Sequence, residues 1–328
     1  MNALYLAADI GGTNSRVALA AREQGHWHIH HRARYPSQQY PSAASILTEF
    51  LAACGGPTPA AAGIAVAGPV IDGNVRLTNV SWQVNARELG AALGNLPLAL
   101  LNDFEAVGRG IDSLAAADLV TLQPGLPRAD APRLLVGAGT GLGVSVLVPA
   151  NGSYIALPSE GGHADFAPLG ELEIALLRHL LEQHGHASWE RVVSGLGLEA
   201  TYAFVRRHEG RAAGTLTAPQ ITEAALAGSD PWAVRTLAIF VSAYGRFAGN
   251  LALAVLPRGG IYVAGGIAPR ILPQLREGAF LRGVTAKGRF SGLMAEMPVH
   301  IVTNDDVGLF GAFNAAAAMT MAAPPRER

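Results

Sequence analysis

The residues best suited to chemistry in this chain are carboxylates placed beside glycine turns. Asp9 lies near the end of an apolar run, Leu4 to Ile10, directly before Gly11-Gly12-Thr13-Asn14. Glycines let a phosphate approach the backbone and expose successive N–H groups, and the threonine hydroxyl adds a donor. A carboxylate beside a phosphate repels it unless a cation intervenes. Asp9 therefore makes sense mainly as an inner or outer ligand of Mg²⁺; the competing reading is a plain hairpin turn. The same grammar returns at Gly137-Ala138-Gly139-Thr140-Gly141-Leu142-Gly143, after Leu134-Leu135-Val136 and before Val144 to Val148. No register of that run gives G-x-G-x-x-G, and an apolar strand follows it, so it is not a dinucleotide fingerprint. A third turn, Ala264-Gly265-Gly266-Ile267, precedes Pro269 and offers either close approach to a flat adenine or a simple strand-to-helix connection.

Three polar groups accompany the turns. Asn102-Asp103 closes an apolar run, Leu96 to Leu101, where open α/β sheets place ligand-binding groups, although an Asp there also serves as a helix N-cap. Pro158 to Phe166 gathers Glu160, His163 and Asp165 around a glycine pair, so Glu160 and His163 can converge on a polyhydroxylated ligand. Glu190, in Trp189-Glu190-Arg191, heads an expected helix, where it also complements the helix dipole. No H-x-x-x-H spacing joins these groups into a metal site.

Composition removes other chemistries. The 328 residues contain 24 Lys+Arg against 25 Asp+Glu, and the only lysine is Lys287, in Ala286-Lys287-Gly288-Arg289. That context fits neither a P-loop nor a V-A-I-K strand, so both lysine-based phosphate grips are excluded. The near-neutral charge argues against nucleic acid or an anionic membrane surface as partner. Cys54 alone supports no intrachain disulfide, redox pair or thiolate zinc cluster, which with the absence of a signal-peptide pattern suggests a cytoplasmic protein. Leu237 to Leu256, interrupted by Tyr244, Gly245, Arg246 and Asn250, reads as a buried helix rather than a membrane span. The many alanines carry no functional meaning at this stage.

The elements that must position these groups follow from periodicity. Two hairpins, at Leu4 to Ala20 and Leu134 to Val148, suggest a duplicated α/β unit. Helices are expected at Ser42 to Ala53, from Phe104, at Leu169 to His184, Ser188 to Val205, Thr217 to Ala227, Pro231 to Val255 and Val307 to Met321. Strands are expected at Ala61 to Val66, Leu96 to Leu101, Ile261 to Ala264 and Val299 to Val302. No low-complexity linker separates domains, which suggests two domains packed about a shared cleft.

In order along the chain, Asp9-Ile10-Gly11-Gly12-Thr13-Asn14, Leu101-Asn102-Asp103-Phe104, Gly137 to Gly143, Glu160-Gly161-Gly162-His163 and Ala264 to Arg270 closely resemble the bacterial ATP-dependent glucokinase family of the proteobacterial type. The match takes in Leu77-Thr78-Asn79, Ser194 to Leu198 and Gly245-Arg246-Phe247, and spans nearly the whole chain. The resemblance implies an α/β fold of the actin-like, ribonuclease-H-like sugar kinases, with ATP and sugar in the cleft between two domains. The small domain would comprise 1–104 plus 304–328 and the large one 105–303, and the enzyme would be a homodimer. Carried over by position, Asp103 is implied as the general base toward the glucose 6-hydroxyl. Asn102, Glu160, His163, Glu190 and Asn79 are implied as sugar ligands beside it. Ala8, Asp9, Ile10, Gly11, Gly12 and Thr13, with Gly139, Thr140 and Gly141, are implied as phosphate turns, with Gly265 and Gly266 beside the adenosine. Asp9 would meet Mg²⁺ through water. A lone Cys54 excludes the zinc-bearing repressor/open-reading-frame/kinase branch. With Lys287 outside every motif, Mg²⁺, threonine hydroxyls and the N–H groups of Gly11, Gly12 and Gly139 to Gly143 would then hold ATP, with room for an arginine that the motifs do not identify. A kinase for another hexose (mannose, fructose or an amino sugar) and a non-catalytic sugar-binding regulator remain as alternatives.

Overall fold

The computed structural model describes residues 3–77 and 82–321; Asn79 and its neighbours Thr78, Val80 and Ser81 lie outside the described residues. The chain forms two compact units, Met1–Ala116 with Asn304–Arg328, and Ala117–Thr303.

The first unit begins with β1 (Leu4–Ile10), β2 (Asn14–Glu23) and β3 (His26–Pro36), followed by α1 (Ala43–Ala53), capped by the Ser42 side chain. Then come β4 (Ala61–Val66), a small hairpin of β5 (Asn74–Arg76) and β6 (Gln83–Asn85), α2 (Ala86–Ala92), β7 (Leu98–Asn102) and α3 (Asp103–Gly110). The second unit contains β8 (Leu119–Gln123), β9 (Arg133–Ala138), β10 (Leu142–Ala150), β11 (Ser153–Ser159), α4 (Gly170–His184), α5 (Gly195–His208), α6 (Ala218–Leu226) and α7 (Pro231–Val255). It continues through β12 (Gly260–Ala264), the short helices α8 (Leu272–Arg276), α9 (Ala279–Thr285) and α10 (Ser291–Ala295), and β13 (Val299–Val302). The chain then returns to the first unit as α11 (Val307–Met321).

The two sheets repeat one topology. Their orders are β3-β2-β1-β4-β7 and β11-β10-β9-β12-β13-β8. Each has three antiparallel strands at one side and parallel strands added to the innermost of them, and in the second sheet β8 then closes the far edge antiparallel to β13. In the first unit Ile10, Val66 and Asn102 lie side by side at the carboxyl ends of β1, β4 and β7. In the second unit the register sets Gly137 of β9 beside Ala264 of β12. Each sheet therefore delivers a glycine turn and its polar companions to one carboxyl edge, where such sheets bind ligands.

Side-chain alternation explains how the first sheet is covered. Leu6, Ala8 and Ile10 face α1, packing with Ile46, Leu47 and Phe50, whereas Ala7, Ala18 and Ala20 face Leu309, Ala312 and Phe313 of α11. The alanines have a packing function on that face, because α11 lies almost on the sheet. A Cβ built on Gly63 would stand 1.9 Å from the carbonyl oxygen of Ala312, and one on Gly311 1.7 Å from that of Ala106 in α3. This packing of α3 on α11 groups residues 105–116 with the first unit, whereas the expected boundary put them in the second.

Two other expectations change. Ser188 to Val205 is not one helix: a 3-10 turn, Trp189–Arg191, precedes α5, whose N-cap Ser194 accepts a hydrogen bond from Gly197 N at 2.9 Å. A serine with two following glycines starts a helix more readily than it sits inside one. β3, β8 and β11 are strands that periodicity did not reveal. By contrast α7, long and apolar enough to cross a bilayer, is a core helix, with Phe240, Tyr244 and Phe247 fully buried.

Gly311→Ala forces α11 away from α3 and should lower the unfolding free energy by about 1–3 kcal/mol. Denaturant titration reads this directly; an unchanged midpoint would contradict the close packing of the two helices.

Candidate functional site

The turn between β1 and β2 has a defined donor inventory. Gly11 N–H donates to Asn14 O at 3.1 Å, so this amide is spent inside the turn. Among the described residues the N–H groups of Gly12 and Thr13 make no hydrogen bond, and the Thr13 side chain is exposed. The second turn follows the same rule. Gly139 N–H donates to Gly141 O at 2.8 Å and Leu142 N–H to Glu190 Oε2 at 2.9 Å, while Thr140 and Gly141 keep their amides. Among the described residues the amides of Gly12, Thr13, Thr140 and Gly141 are thus left without a partner, whereas those of Gly11, Gly139 and Leu142 are engaged within the fold. Ala8 and Ile10 bury their side chains against α1, which leaves them only backbone to offer.

Asp9 is engaged where it stands. Arg16, its cross-strand partner in the hairpin register, bonds Asp9 Oδ2 at 2.5 Å and the Asp305 carbonyl at 2.7 Å. Burial by itself would favour a neutral Arg16; Asp9, with Asp306 and Asp305, outweighs it and holds the guanidinium above its ordinary range. Arg16 is thus an arginine beside this turn that no motif pointed to; counting residues across the hairpin finds it. Among the described residues no cluster of three or more His, Cys, Asp or Glu could enclose a metal. Mg²⁺ takes one or two carboxylates, several waters and substrate phosphates rather than a protein cage. With Oδ2 held by Arg16, Asp9 suits contact through water.

At the end of β7, Asn102 takes the cap that an Asp could have taken. Its Oδ1 accepts from Phe104 N at 2.9 Å and Glu105 N at 3.2 Å, and its Nδ2 donates to Gly68 O at 3.0 Å. Asp103 is thereby the first residue of α3, its Oδ1 2.9 Å from Phe104 N, where the helix dipole favours the ionised carboxylate.

In the second unit, Glu160, His163 and Glu190 come together. His163 Nε2 lies 3.9 Å from Glu160 Oε2, and His163 Nδ1 lies 4.0 Å from Glu190 Oε1. The His163 and Glu160 side chains are 59% and 67% exposed, so the cluster opens to solvent and to a ligand. Two loops carry it and are stitched together: Trp189 N donates to Ala164 O and Phe166 N to Ala187 O, both at 2.9 Å. Beneath them Trp189 packs edge-to-face on Phe166 at 5.2 Å and against Phe247 at 5.6 Å. The third turn, exposed at Gly265 and Gly266, leads to Arg270. Arg270 lines a cavity of about 490 Å³ with Pro219, Thr222, Glu223, Leu226 and Ala227.

A sequence profile described as Glucokinase matches residues 6–319. The chain belongs to the glucokinase family. Among its relatives, the glucokinase of Nostoc sp. is 42% identical over 338 residues, covering 96% of this chain and 99% of that protein. Relatives occur in cyanobacteria and proteobacteria alike, so the expected proteobacterial type is broader than its name. A solved glucokinase from an Antarctic psychrotroph superposes with a TM-score of 0.85 at 34% identity, covering 97% of this chain and all of that one. A Balamuthia mandrillaris glucokinase, solved with glucose, gives 0.82 at 21% identity over 96% and 94% of the two chains, a likeness of fold alone. The fold is that of the actin-like sugar kinases.

Trp189→Ala removes the aromatic that anchors the Glu190 turn and should cost about 3–5 kcal/mol of unfolding free energy. Chemical denaturation measures it; a loss under about 1 kcal/mol would show that the loops are held by something else.

Proposed function

We propose that the protein transfers the γ-phosphoryl group of ATP to the 6-hydroxyl of D-glucose, giving glucose 6-phosphate and ADP. The observation that carries this reading is the convergence of Glu160, His163 and Glu190. Two carboxylates and an imidazole facing one point supply the acceptors and donor that sugar hydroxyls require. Asp103 takes the proton of the 6-hydroxyl. The oxygen lone pair forms the new bond to the γ-phosphorus as the bond from that phosphorus to the bridging oxygen breaks, and the electron pair leaves with ADP. Such a transfer needs positioning and charge neutralisation more than covalent help.

The amides of Gly12, Thr13, Thr140 and Gly141 donate to the phosphates, and Gly265 and Gly266 with the cavity at Arg270 receive the adenosine. Asn102 and Asn79 complete the sugar contacts, Asn79 on the strength of its motif alone. Asp9 would hold Mg²⁺ through water; when bound, the ion neutralises charge on the β- and γ-phosphates. Cytoplasmic location fits the single cysteine, supply of glucose 6-phosphate to glycolysis fits the product, and the homodimer rests on the family resemblance.

A positioned base contributes about 10²–10⁴-fold in rate. Asp103→Asn should lower kcat by at least that range with glucose binding nearly unchanged, whereas Glu160→Gln or His163→Ala should raise the KM for glucose. Steady-state kinetics with direct glucose titration separates these outcomes. Near-normal turnover in the Asn variant would sink the base assignment, and an unchanged KM would remove Glu160 or His163 from the sugar site.

A further inference from the structure

One buried hydroxyl chain lies directly under the first turn. Ser37, just past the end of β3, and Ser15 of β2 are both wholly buried, with their hydroxyl oxygens 2.9 Å apart. Ser37 Oγ donates to the carbonyl of Gly11 at 2.6 Å, and Ser37 N–H donates to the carbonyl of Thr13 at 3.0 Å. A serine has one hydroxyl proton. Because that of Ser37 goes to Gly11, the Ser15 hydroxyl must be the donor in the Ser15–Ser37 bond. The chain runs in one direction, Ser15 O–H to Ser37 Oγ, then Ser37 O–H to Gly11 O, an arrangement in which each bond polarises the next.

The consequence follows from the geometry of a trans peptide. The carbonyl of Gly11 and the N–H of Gly12 belong to one planar unit and point in opposite directions. Holding the carbonyl inward on Ser37 therefore turns the Gly12 N–H outward, and that is one of the amides with no partner among the described residues. The second bond, from Ser37 N–H to Thr13 O, fixes the far side of the same turn. A turn of two glycines and a threonine has many accessible conformations, and one buried residue holds it at both carbonyls.

We propose that Ser37 is the positioning residue of the first phosphate turn, presenting the Gly12 amide to a nucleotide phosphate; this rests on the reading of Ala8 to Thr13 as a phosphate turn. Ser37 itself touches no substrate. Its effect is on nucleotide, not sugar, and that separates positioning from packing.

The test uses the full chain, with ATP binding measured by calorimetry in the presence of Mg²⁺ and both KM values measured in the kinase reaction. Ser37→Ala should raise Kd and KM for ATP about tenfold or more, the range for a hydrogen bond to a charged group, with the KM for glucose within about twofold. Ser37→Cys fills the same space with a weak donor and should show the same loss. Ser15→Ala leaves the Ser37–Gly11 bond and should cost only about two- to threefold. Should Ser37→Ala fail to fold, the Cys and Ser15 variants carry the test. Recovery of wild-type ATP affinity by Ser37→Cys, or equal rises in both KM values, would overturn the proposal while leaving the phosphate turn in place. A Gly12→Pro variant, which lacks that N–H, with wild-type Kd and KM for ATP would overturn the phosphate-turn reading as well.

Discussion

The constraint from which the rest of this structure follows is that nucleotide phosphate must be held without lysine. Lys287, the only one, is half-buried and donates to Asn250 Oδ1 at 2.8 Å and to the Arg246 carbonyl at 3.4 Å. It is committed to α7. On the proposed reading backbone amides share the phosphate with Mg²⁺, and an amide is a useful ligand only if its peptide is held in one orientation. Both turns meet that requirement from below. Ser37 holds the carbonyls of the first, and in the second Gly139 O accepts from Gly195 N at 2.8 Å, which by the same trans-peptide geometry turns Thr140 N–H away. The hydroxyl of Tyr244, kept protonated because burial pushes its pKa far up, accepts from Ala138 N at 3.1 Å just before that turn.

Economy of side chains is a second consequence. Glu190 uses one oxygen to hold Leu142 N at the base of the second turn and points the other at His163. The His163 cluster and the turn geometry thus share one carboxylate. Asn102 takes the helix cap and so assigns Asp103 to the first position of α3 rather than to capping. Arg16 balances Asp9 and ties it to Asp305, at the point where the chain re-enters the first unit. None of these side chains serves one partner only.

Much of this was legible in the sequence because it was written locally. β1, β4, β13, α7 and α11 begin and end where apolar periodicity meets glycine, proline or a cap residue. Strand β3 was hidden because His26, His28, His30 and His31 with Arg32 and Arg34 mask the half-buried Trp27, Ile29, Ala33 and Tyr35, and a register shift opposite Leu19 and Ala20 breaks their alternation. The alanines carried no message until α11 was seen to lie on Gly63. In the site, the turns stood out by type and spacing, whereas Asp103 stood out only by its place at a strand end and gained a role through the family resemblance. Ser37, 26 residues from Gly11, could not: serine after proline at a strand end has no chemistry of its own until the fold places it under the turn. Glu190 was found by motif, but its bond to Leu142, 48 residues away, belongs to tertiary structure.

On the proposed reading, backbone amides, a base at Asp103 and the Glu160–His163–Glu190 cluster together make a glucose kinase. That reading is tested most directly by a coupled ATP/Mg²⁺ assay across a panel of hexoses. ADP should form in step with glucose 6-phosphate, with glucose preferred over mannose, fructose and amino sugars. Saturable glucose binding without turnover of any hexose would contradict it.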